Sequence, residues 1–167
     1  MSPGPPTPDE LLGVYLNDHL AAATGGLALA RRARDAQEGR DPDLHRFLVA
    51  LTGEIEEDRR VLLVALDRLG IGRNPLKRVA GALGERVGRL KTNRRLARRS
   101  PLSDVVELEG LDIAVRGKRL GWLALEERGH PALGGIDFAA LARRAEDQAD
   151  RIERRRRPLA AGVLGAT

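Results

Sequence analysis

The sequence predicts an all-α protein, and three observations carry that prediction. Ala, Leu, Arg and Glu dominate the 167 residues, and these side chains lose little rotamer freedom in a helix. Aromatic residues make up only 2% of the chain, which leaves little of the material favoured in strands. Apolar residues recur at alternating spacings of three and four over four long stretches, each opened by a capping residue and three of them closed by Gly. A chain of this length forms a single domain with a substantial core. We place that domain at residues 9–167, behind a disordered leader at residues 1–8 (MSPGPPTP).

The first helix is expected to open at Pro8-Asp9-Glu10, capped by Thr7 or Asp9, and to run to about Glu38 before Gly39. Its inward stripe reads Leu12, Leu16, His19, Ala23, Gly26, Ala30 and Ala33. The second follows the Asp41-Pro42-Asp43 start signal and ends at Gly70. Its stripe is Leu44, Leu48, Leu51, Ile55, Asp58, Leu62, Ala65 and Leu69. Residues 71–100 form a long crossover, weakly amphipathic through Leu76, Val79, Leu83, Val87 and Leu90 and weakened as helix by Gly81, Gly84 and Gly88. Ser100-Pro101 opens the third helix, which reaches about Arg128. After a Gly- and Pro-containing loop, Asp137 opens the fourth, with a kink expected at Pro158.

Zero cysteines exclude disulfides, thiolate metal sites and cysteine nucleophiles, and fit a reducing cytoplasm. No secretory signal is visible. Residues 11–30 are apolar enough to suggest a membrane span, but Asn17, Asp18 and His19 at their centre argue against one. The net charge is +5, yet residues 73–99 alone carry +9 (ten Lys/Arg against Glu85), so the remainder carries −4. Within that block Arg86, Arg89, Lys91, Arg94, Arg95, Arg98 and Arg99 form a run without an acid. They are candidates for contact with nucleic acid or an anionic surface. The run holds no aromatic for base stacking, so a solvated face is the alternative. No phosphate loop, nucleotide fingerprint, HExxH or nucleophile elbow is present.

Polar residues on the inward stripes are the remaining signal. Asp18 and His19 on the first helix, Glu54, Glu57 and Asp58 on the second, Glu107 and Glu109 on the third and Gln148 on the fourth are candidates for a buried polar network or a metal site. Because apolar residues occur on nearly every side of the third helix, a cation among Arg116, Lys118 and Arg119 must reach the interior. Arg116 and Lys118 are therefore expected as cationic neighbours of the carboxylates, competing with any metal for their oxygens.

Helix lengths, helix order and the long second-to-third connection resemble the ferritin-like four-helix bundles. The resemblance covers about residues 9–160. It implies a carboxylate from each of two helices and a Glu-x-x-His pair from each of the others, around iron or manganese. This chain has neither Glu-x-x-His: Glu54 and Glu57 have the spacing but lack the imidazole, and the fourth helix has no histidine. The expectation is a non-catalytic bundle without a cofactor, its metal layer replaced by a polar network and its role exercised through packing, a protein partner or a homodimer. The alternatives are an iron- or manganese-binding carboxylate protein, acting as an oxidase or in iron handling, and an anion binder through the crossover.

Overall fold

A computed structural model describes residues 4–73 and 100–165. Four long α-helices account for most of them: α1 (Pro8–Asp35), α2 (Pro42–Arg68), α3 (Pro101–Arg128) and α4 (Phe138–Leu164). A short 3-10 turn, Pro131–Leu133, lies between α3 and α4, and no strand occurs among the described residues. The crossover and its cations Arg86, Arg89, Lys91, Arg94, Arg95, Arg98 and Arg99 fall almost wholly outside the described residues.

Each helix starts where its sequence satisfies the first free backbone N–H groups. At α1 the Thr7 hydroxyl accepts from the Glu10 N–H at 3.3 Å, while the Glu10 carboxylate accepts from the Thr7 N–H at 2.7 Å. Asp41 accepts from the N–H groups of Asp43 and Leu44 at α2, Ser100 from Leu102 at α3, and Asp137 from Ala140 at α4. Pro follows the cap in the first three, where its missing donor costs nothing. The helix α3 ends on Gly129 at φ +57°, a conformation open to glycine. The first helix stops at Asp35, three residues before the sequence suggests, because residues 36–40 form turns with Gly39 at φ +71°. The last helix runs continuously through Pro158 to Leu164.

The helices pack as two antiparallel hairpins, α1 with α2 and α3 with α4. The α1–α3 seam joins them, and its contacts run in opposite directions along the two helices. Asp9 meets Arg128, His19 meets Gly121, Leu29 meets Gly110 and Arg32 meets Glu107. Close approach depends on small residues here: a Cβ added at Gly26 would already touch the Ala114 methyl at 3.5 Å. Directions follow from these contacts. Gly72, just past the end of α2, accepts a hydrogen bond from Asn17 near the start of α1, whereas Asp104 at the start of α3 accepts one from Gln37 beyond the end of α1. The chain therefore leaves α2 at one end of the bundle and enters α3 at the other, so that α2 and α3 are parallel. The core is mainly Leu and Ala, with Leu51, Leu66, Leu111 and Ile152 fully buried and Trp122 stacked on Phe138 at 5.9 Å.

Candidate functional site

Backbones of α2 and α4 approach each other less closely than those of the other neighbouring helices. Long polar side chains fill the space between them. Asp58, 2% exposed, lies on the core stripe of α2 one turn after Glu54. One of its oxygens accepts from the Lys118 ammonium of α3 and the other from the Arg144 guanidinium of α4. Gln148, fully buried one turn after Arg144, turns its amide oxygen to Lys118 and its amide nitrogen to Glu54 at 2.9 Å and Asp58 at 3.4 Å. Arg151 closes the cluster with an ion pair to Glu54 at 2.5 Å. Three helices thus contribute two carboxylates, three cations and one amide in which every bond runs from donor to acceptor.

The local sequence explains why these groups meet. Glu54 and Asp58 are four apart on α2; Arg144, Gln148 and Arg151 follow a four-then-three spacing on α4. Each set therefore occupies one helical face, and the antiparallel direction of α2 and α4 pairs Asp58 with Arg144 and Glu54 with Arg151. Lys118 spans the third side with its aliphatic stem in the apolar interior and its ammonium on Asp58. Burial pulls the Lys118 ammonium below the ordinary lysine range, and the Asp58 charge offsets only part of that. Burial works the other way on Glu54. There the hydrogen bonds of Arg151 and Gln148, with the charges of Arg151 and Arg144, outweigh it and hold the carboxyl below its usual value.

The structure brings together four of the sequence candidates, Glu54, Asp58, Gln148 and Lys118, and separates the others. Glu57 stands at the exposed edge of the cluster, 3.3 Å from Arg144. Glu107 is buried but belongs to the α1–α3 seam, where Arg32 pairs with it at 3.1 Å. Glu109 faces outward to Arg156, and Arg116 faces outward to Asp112, one helical turn before it. Asp18 is exposed, one residue off the inward stripe. Sequence reasoning missed Arg144 and Arg151. Their spacing about Gln148 was the available signal, masked in a helix where arginines lie on every side.

His19 is half-buried and apart from the cluster. Its ring lies on Gly121 of α3 and against Tyr15, with ring centroids 4.5 Å apart, and it makes no hydrogen bond among the described residues. Burial lowers its pKa more than the neighbouring Asp18 charge raises it. Between the folded-state value and the unfolded 6.5, the unfolded chain therefore binds more protons. Stability from this group is present above pH 6.5 and is lost as pH falls through the folded-state pKa. Urea midpoints measured across that range are expected to fall with pH in the wild type, and less steeply in His19→Leu.

Among the described residues no group of three or more His, Asp and Glu side chains converges as a metal ion requires. No described helix is long and apolar enough to cross a membrane. Fold and cluster together define an all-α, four-helix bundle with a charge-paired interior. No protein-family model, curated protein or solved structure matches the chain.

Proposed function

We propose that this is a ferritin-like bundle protein without a catalytic centre, in which a fixed charge network stands where that class of bundle carries its metal, and which acts through packing and protein contact. One observation carries the reading: both oxygens of Asp58, the most deeply buried carboxylate among the described residues, are taken by cations of two other helices. An iron or manganese ion at the same oxygens would have to displace Lys118 and Arg144 and stand beside their charges, which electrostatics opposes. His19 does not supply the missing nitrogen ligand, since its ring is engaged at the α1–α3 seam. The donor set therefore fits a salt-bridged layer better than a carboxylate metal centre. The parallel arrangement of α2 and α3 supports the ferritin-like connectivity. In this reading the network fixes which faces of α2, α3 and α4 meet, since a one-turn slip would leave charges buried without partners.

The test is metal content by plasma mass spectrometry on the untagged chain after incubation with Fe(II) or Mn(II) and desalting. We expect substoichiometric metal that is unchanged in His19→Ala and Asp58→Ala. Near-stoichiometric metal lost in Asp58→Ala would instead establish a metal-binding carboxylate protein and direct attention to oxidase or iron-handling activity.

A further inference from the structure

A cavity of about 710 Å³ lies along α1, α2 and α3, a volume within the ~300–1,000 Å³ of small-molecule sites. Most of its wall is apolar, with small residues such as Gly25 and Ala28 of α1 and Gly117 of α3 beside the larger Ile113. Ile113 is 63% exposed, and nothing within 4 Å would meet a Cβ at Gly117 or Gly25, so this wall is open to an occupant. One cation on the same cavity has no acid beside it. Arg59 is fixed through its Nε, which donates to the Thr24 hydroxyl at 3.1 Å. Its two terminal nitrogens have neither a hydrogen bond nor a carboxylate among the described residues. It stands in contrast to Arg144, whose two terminal nitrogens are both paired with acids. Trp122 also lines the cavity and is 3% exposed; its indole N–H is closed off, so the ring meets an occupant only through carbon atoms. A guanidinium anchored at Nε presents a preorganised fork to a carboxylate.

We infer that this cavity binds an aliphatic monocarboxylate, with its chain against the Gly, Ala and Ile wall and its carboxylate on the Arg59 fork. The chemistry is that of binding alone. Asp58 and Lys118 also line the cavity, but their charged atoms are taken up by each other, Arg144 and Gln148, whereas Arg59 belongs to no part of that cluster.

Trp122 is the only tryptophan in the chain, so its emission reports occupancy directly. The full-length protein is titrated with sodium decanoate and, in parallel, with 1-decanol, which keeps the chain and lacks the carboxylate. The expected result is a saturable change in Trp122 emission with decanoate at lower concentration than with decanol. Arg59→Met should weaken decanoate binding about tenfold or more, the scale of a lost charged hydrogen bond, and leave decanol unchanged. Gly117→Leu, which puts a side chain into open space in the wall, should weaken both ligands with helical circular dichroism retained. The inference is overturned if decanoate gives no saturable change, or if decanol matches it and Arg59→Met has no effect, which would mark ordinary partition onto an apolar surface.

Discussion

Asp58→Ala should lower the free energy of unfolding by about 3 kcal/mol or more, read as a fall in the urea midpoint at unchanged denaturant slope. The substitution removes few apolar contacts, and its cost comes from what it leaves behind. Lys118 keeps its ammonium in the interior with only Gln148 as an acceptor, and Arg144 loses its inner partner. Breaking a buried pair from one side typically costs ~3–5 kcal/mol. The lower end applies because the Arg144 side chain is 33% exposed and retains Glu57. A substitution at Glu57 or Glu109, whose ion pairs face solvent, should cost no more than about 1 kcal/mol.

Gly121→Ala should destabilise the bundle by about 1–3 kcal/mol, although alanine is the better helix former by ~1 kcal/mol at an unconstrained position. The added Cβ would stand 2.7 Å from His19 Cε1 and 2.8 Å from its Nδ1, inside van der Waals contact. Tyr15 packs on one side of the imidazole, so the ring can give way only by turning toward the cavity that it also lines. Either α1 and α3 separate or the ring leaves its rotamer. Removing the ring should reverse the sign: in a His19→Ala background the same Gly121→Ala change should be neutral or stabilising. Thermal melts of the four combinations measure this directly. An equal penalty in both backgrounds would mean that the α1–α3 seam is not set by this contact.

Much of the fold is legible from periodicity and caps. The stripe of α2 predicts its buried face nearly residue by residue, including Asp58, and the cap residues at Thr7, Asp41, Ser100 and Asp137 mark all four starts. The third helix is harder to read. Ile113 and Leu120 are apolar yet 63% and 62% exposed, while Lys118 points inward, so composition around the helix does not reveal its core face. Pairing across helices is less legible still. A stripe says which way a residue faces and not which neighbour it meets, and long arginines reach several positions. Hence Glu109 is expected in the interior from its spacing but pairs outward with Arg156, and His19 shares the inward phase of α1 without reaching Asp58. Spacing places Gln148 correctly because an amide on the core face of α4 can be satisfied only by polar partners from facing helices.

The central claim is that Asp58 and Lys118 form one unit that holds α2 to α3 through charge. The most direct measurement is a double-mutant cycle with Asp58→Leu, Lys118→Met and both together, followed by urea unfolding. The account predicts strong coupling: the double variant should recover about 2 kcal/mol or more relative to Asp58→Leu, because an apolar pair of similar volume leaves no buried ammonium without its carboxylate. Additive losses, with the double variant as unstable as the sum of the singles, would contradict it and show that the two residues contribute to the bundle independently.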